Sequence, residues 1–309
     1  MEIYYVGNNG EKIDFLSDDI SAPYPEQELL QVNWSYNTDS RIGNKRNVSE
    51  IYKDIQERDL TLEILADDED EFNRIMNKMH DVFEHDIRIL KEGTLYFNGW
   101  YQKCFIVAKN YSNYDYLMDY SEIKVKVLIP HPFWIKEIFH SFDIQEKIYD
   151  TGMDYRYDYA FDYAPSGISY VIWDTQHYAS SDFKLYVYGP CTNPLISVNG
   201  YPYQVFTTLE PNEYFVLDSK ENTITKYLAN GTTSSLYNSR QFVPSVFEKI
   251  PGGTINVSWN GNFHFNITLF AERSEPKWRE KQPVYSTTED GYSLITEEGE
   301  NIILERKEW

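Results

Sequence analysis

Between residues 122 and 129 apolar and polar positions alternate, with Ile123, Val125, Val127 and Ile129 on one face and Glu122, Lys124 and Lys126 on the other. A period of two predicts a half-buried β-strand. Pro130 and Pro132 end it, because each removes a ladder donor and drives the preceding residue toward extended geometry. Phe133 and Trp134 follow at once, too apolar for a free linker. They are expected to plug a stiff Pro-His-Pro hinge against the next domain; an ordinary strand running into a loop fits the same spacing.

Upstream, residues 3–6 and 12–16 flank Asn8-Asn9-Gly10, a hairpin signal because Asn and Gly tolerate positive φ. Leu30, Val32, Trp34 and Tyr36 alternate and predict a second strand over residues 30–36. The polar segment 37–57 then carries Arg41, Lys45 and Arg46. It is too long for a simple connection, so it is either a contact loop or merely solvated. Leu60, Leu62 and Ile64 mark the next strand. Residues 67–86 predict a helix, capped by Asp67 or Asp68 and buried through Phe72, Ile75, Met76, Met79 and Phe83. Strands are expected again at 87–97 and 100–109, joined by Asn98-Gly99. A β-rich half with one helix buries its apolar faces most economically as a closed or split barrel.

From Asp150 the pattern changes. Tyr155, Tyr157, Tyr159, Phe161 and Tyr163 alternate with Arg156, Asp158, Ala160 and Asp162. An extended segment gathers these aromatics on one face, whereas a helix would stack the acids at i,i+4. Short strands are expected at 168–173, 183–188, 195–198, 214–217, 223–228, 254–259 and 263–270, the spacing of an antiparallel sandwich. Residues 279–309 turn charged and hold two further β-forming runs, with Tyr292 and Leu294 in one and Ile302 and Ile303 in the other. They read as an appended hairpin. The organisation expected is thus 1–134, 135–278 and 279–309.

Composition narrows the function. Of 309 residues, 41% are hydrophobic and 17% aromatic, with 27 tyrosines, which favours β structure and contact surfaces. A net charge of −21 repels phosphate backbones and argues against specific nucleic-acid binding. With no apolar run near membrane-spanning length and no secretory pattern at the N-terminus, the chain is expected to be soluble and made in the cytosol, with no membrane insertion. Cys104 and Cys191 lack any metal or redox spacing, and Cys104 shares a strand face with Trp100, Ile106 and Ala108. The acids around Asp154–Asp162 lack EF-hand spacing, so no metal or other cofactor is expected. GxSxG, Walker A, HExxH and GxGxxG are absent, and the protein is not expected to be an enzyme. Galectins read sugars through a His-x-Asn-x-Arg strand. Here His264-Phe265-Asn266 begins that pattern, but Thr268 stands in the Arg position.

Taken in order, several stretches resemble the distal tail proteins of long-tailed siphophages and related prophages. They are His131-Pro132-Phe133-Trp134, the Asp-Tyr run 154–163, Cys191-Thr192-Asn193-Pro194, Ile250-Pro251-Gly252-Gly253-Thr254, and the strand 263–273 closing on Pro276-Lys277-Trp278. The resemblance spans residues 1–278. It implies a mainly β chain: an N-terminal split-barrel-like domain with one packed helix, related to tail-tube proteins, and a C-terminal galectin-like antiparallel β-sandwich without a working sugar site. It further implies a homohexameric hub ring in the virion tail, assembled in the host cytoplasm. The ring would join the tail-tube protein to the tip or baseplate and its receptor-binding proteins. Interaction residues expected on this reading are Arg41, Lys45, Arg46, Tyr155, Tyr157, Tyr159, Tyr292, Leu294, Ile302 and Ile303. A carbohydrate-binding module that touches a host surface is the alternative the aromatics and sandwich allow, and a glycan hydrolase a remoter one.

Overall fold

The structure, a computed structural model, describes residues 1–40, 46–115, 120–144 and 169–278. Residues Met1–Glu275 form one compact unit, and Pro276–Trp309 a second, of which Pro276, Lys277 and Trp278 are described. The expected aromatic run Tyr155, Tyr157 and Tyr159, and Tyr292, Leu294, Ile302 and Ile303, lie outside the described residues.

The chain is mainly β. Its first elements are β1 (Ile3–Val6), β2 (Lys12–Asp14), β3 (Ile20–Ser21), α1 (Pro25–Leu29), β4 (Ser35–Ser40), β5 (Arg46–Tyr52), β6 (Gln56–Leu65) and α2 (Glu69–Arg88). Then come β7 (Gly93–Phe97), β8 (Trp100–Asp115), β9 (Tyr120–Ile129) and β10 (Trp134–Phe142). The expected hairpin is β1–β2, and Asn98-Gly99 turns β7 into β8 with positive φ at both residues. Strand β8 carries two limbs. Its first residues pair with β7, which leads on to β1 and β2; from Phe105 it pairs with β9, which leads to β6 and β3. Among the described residues β2 and β3 do not pair, and the isolated bridge Leu16–Ser21 lies beside the seam along which the barrel is split. A bulge between Ile106 and Ala108 interrupts the strand's alternation, leaving Cys104 and Ile106 buried and Ala108 only partly so.

Helix α2 lies over the core enclosed by these limbs. Asp68 caps it, accepting the Glu71 N–H at 2.8 Å, and Phe72, Ile75, Met76, Met79, Val82 and Phe83 are all buried. The helix runs through Arg88, so the strand expected from 87 begins only at Gly93. Asp86, the last buried residue of the stripe, is fully enclosed. It accepts from the Tyr5 hydroxyl at 2.7 Å and the Asn8 backbone N–H at 2.8 Å. A methyl group on Gly93 would lie 2.0 Å from that hydroxyl, which explains glycine at this position.

The strand expected over 30–36 does not form. Pro25 opens the short helix α1 instead, and residues 31–34 run without regular structure into β4. Side chains of β6 pin this segment in place of a ladder. Arg58, buried, donates to the carbonyls of Leu29 and Gln31, while Glu28 accepts from the Thr61 N–H and hydroxyl at 2.8 and 2.6 Å.

The remaining strands are β11 (Ser169–Asp174), β12 (Asp182–Tyr188), β13 (Cys191–Thr192), β14 (Leu195–Val198), β15 (Tyr201–Gln204), β16 (Thr208–Leu209), β17 (Tyr214–Asp218), β18 (Thr223–Tyr227), β19 (Thr233–Ser235), β20 (Thr254–Trp259) and β21 (Phe265–Arg273). All seven strands expected in this half exist within a few residues of their expected bounds. They form an antiparallel β-sandwich. One layer runs β10–β21–β12–β17–β18–β19, and the other β11–β20–β14–β15. Val187, Phe215, Leu217 and Ile267 from the first meet Trp173, Ile196, Val198 and Val257 from the second in a buried core. Phe263, Phe265, Ile267 and Leu269 all point into it.

Candidate assembly surface

The segment 37–57, expected as a long loop, is largely a hairpin arm. Among the described residues, strands β4 and β5 pair with each other and with no other strand. A bulge after Asn37 keeps Tyr36 opposite Ile51 and Thr38 opposite Val48 on one face, with Asn37–Glu50 and Asp39–Asn47 on the other. The Asn37 amide donates to Glu50 at 3.1 Å. Tyr36, Val48 and Ile51 are 66%, 57% and 62% exposed, so the arm is amphipathic with its apolar face in solvent. An isolated two-stranded hairpin is marginal in water, and an uncovered apolar stripe marks a contact surface. Arg46 opens β5 opposite Ser40; Arg41 and Lys45 lie outside the described residues.

The arm is rooted on the proline hinge. The Lys53 ammonium donates to the Pro132 carbonyl at 2.7 Å and lies 4.3 Å from the Phe133 ring centre and 5.0 Å from that of Trp34. Trp34 and Phe133 meet edge to face at 6.0 Å. Burial, with Arg58 adding like-charge repulsion, pushes the Lys53 pKa down to about 8. His131 reaches Glu272 of β21 at 3.1 Å. Burial works to raise the Glu272 pKa, but the His131 contact and neighbouring cations outweigh it and leave it below the usual range. The hinge therefore ties the arm to the sandwich. Trp134 begins β10 fully buried in the first core, with its ring 5.8 Å from Phe97, so it plugs back into the helix-covered core and not, as expected, against the sandwich. Trp34 was expected only as a strand residue and Lys53 not at all; a lysine at the foot of an exposed arm carries no local signal.

Other chemistry is sparse. Among the described residues no three His, Cys, Asp or Glu side chains gather as a metal site, and no helix is long and apolar enough to cross a membrane. Burial raises both thiol pKa values, Cys191 to about 11, which disfavours the thiolate at neutral pH. His80 pairs with Glu84 at the surface, and His264 reaches Asp143 at 2.9 Å.

No family model and no curated protein sequence matches the chain. Solved structures do. The Dit (gp 19.1) protein of phage SPP1, described as a paradigm of the hub adsorption apparatus in phages infecting Gram-positive bacteria, superposes with a TM-score of 0.53 at 6% identity, covering 86% of this chain and 98% of its own. A chain of the phage P2 baseplate in its activated conformation with Ca gives 0.57 at 12% identity, covering 89% and 99%. The strontium form of that baseplate gives 0.50 at 14%, covering 86% and 97%. At these identities the likeness is one of fold, and it takes in nearly the whole of each of those chains.

Proposed function

We propose that this protein is a structural hub of a siphophage or prophage tail. It forms a homohexameric ring that joins the tail tube to the tip or baseplate and its receptor-binding proteins. The observation that carries this reading is the fold match over 86–89% of the chain to a phage hub protein and to baseplate chains. On this reading residues 1–134 close the ring, the sandwich 135–278 faces the tip, and 279–309 recruits the next tip component. The protein acts by assembly and not by catalysis, in the virion tail, after synthesis in the bacterial host. The arm supports it, because a self-paired hairpin with an exposed apolar face needs a neighbouring molecule to cover it. Native mass spectrometry tests the ring: a species six times the 36.6 kDa chain is expected, and a monomer at micromolar concentration overturns it.

A further inference from the structure

The outward face of β12, β17 and β18 bears a cleft that the arm and hinge do not use. Strand register aligns its side chains in three rows. Tyr188, Tyr214 and Tyr227 form the first; Tyr186, Val216 and Thr225 the second; Lys184, Asp218 and Thr223 the third. The rings of Tyr214 and Tyr227 stack at 4.7 Å, and Tyr188 stands 5.9 Å from Tyr214, so the first row is an aromatic wall. Val216 and Thr225 are short, which leaves a cleft of about 370 Å³ between that wall and the third row. A second hollow of about 350 Å³ adjoins it across Lys184 and Tyr186, reaching Tyr101, Glu137 and Phe270.

The lining selects a ligand class. Lys184 and Asp218 pair at 3.2 Å, so the cleft offers one donor and one acceptor with no surplus charge. The backbones of β12 and β17 are paired on both sides, which excludes an added peptide strand. What remains is phenol ring surface beside hydroxyls of Thr223 and Thr225. That combination suits a pyranose, whose C–H face lies against an aromatic ring while its hydroxyls bridge to charged and hydroxyl groups. A net charge of −21 disfavours anionic polymers. We infer that this cleft is a binding site for a neutral saccharide, built on the sandwich face and independent of ring assembly.

Saturation-transfer NMR of the full chain with lactose, maltotriose and chitotriose tests the site. Transfer to ring C–H protons of at least one sugar is expected, with a millimolar dissociation constant. Thr225→Trp fills the cleft from an outward position and should weaken binding by roughly tenfold or more, while Thr254→Trp, at an exposed position of β20 in the opposite layer, should leave it unchanged. Thermal melts of both variants check that they fold. No transfer from any of the three sugars, or binding unchanged in folded Thr225→Trp, overturns the site, and neither result bears on the mass of the ring.

Discussion

Trp134 and Phe142 are the two ends of one nine-residue strand, and they are buried in different hydrophobic cores. Trp134 packs near Phe97 in the helix-covered core; Phe142 stacks on Phe265 at 4.6 Å in the sandwich. Between them β10 pairs along its whole length with β21, while its ladder with β8 is the single pair Ile135–Tyr101, beside which the Tyr101 hydroxyl donates to Glu137 at 3.2 Å. One strand thus spans both cores, and its end residues serve as anchors.

Trp134→Ala removes one anchor. The expected cost is about 3–5 kcal/mol, from lost burial plus a cavity that a fully paired strand end cannot collapse around. Trp134→Phe should cost much less, since the indole N–H has no hydrogen-bond partner to lose. Urea unfolding followed by tryptophan fluorescence and by circular dichroism checks both. Equal losses for the two variants would show that the ring's volume is not what matters there.

Tyr5 and Asp86 predict an alkaline effect. Burial first, then nearby Cys104 and Asp86, hold the Tyr5 hydroxyl well above its ordinary value of 10.0. The folded state then keeps a proton that the unfolded state releases. This contribution is fully present below about pH 10 and is lost as pH rises beyond it. Tyr5→Phe should flatten that decline while costing about 1–3 kcal/mol at neutral pH, because Asp86 loses a buried donor. An unchanged stability slope above pH 10 would contradict the assignment.

Lys53 works in the opposite sense. Its pKa falls from 10.5 to about 8, so between those values the unfolded chain binds the extra proton. Stability from this group therefore rises with pH across that window. Lys53→Met should remove the rise, most visibly below pH 10, where Tyr5 contributes no slope. Denaturation midpoints taken from pH 7 to pH 10 in both proteins provide the comparison.

Replacing residues 36–51 by a short Gly-Ser turn deletes an arm that pairs only with itself. The melting temperature should move by no more than about 2 °C. Ring formation should survive, and attachment to the tail tube should weaken. Normal tail assembly with the shortened arm would mean that its apolar face has no partner.

Much of this was legible in the chain. Asp68, the stripe from Phe72 to Phe83, and the alternations in β6, β9, β14 and β20 each carry a local signal long enough to read. Residues 30–36 misled because period two records side-chain order and not burial. Val32, Trp34 and Tyr36 alternate yet none is buried, and the true determinant was Arg58, some thirty residues away. The arm was hidden for the converse reason, since Asn37, Asp39 and Glu50 dilute its one apolar face. β13, β16 and β19 have two or three residues each and thus no period at all. The saccharide cleft was illegible as a unit, because Tyr186, Tyr214 and Tyr227 become neighbours only through strand order.

Strand β21 lies between β10 and β12 in the sandwich's larger layer, and it is the last of the described strands to be synthesised. During translation the helix-covered core has all its residues by Trp134, while β10 waits with an open edge until residue 273 has left the ribosome. The nascent chain thus passes through a stage that is half folded and half adhesive. Exposed Lys136, Glu137 and Ser141 along β10 put charge and polarity on that waiting strand, beside the exposed ring of Phe139.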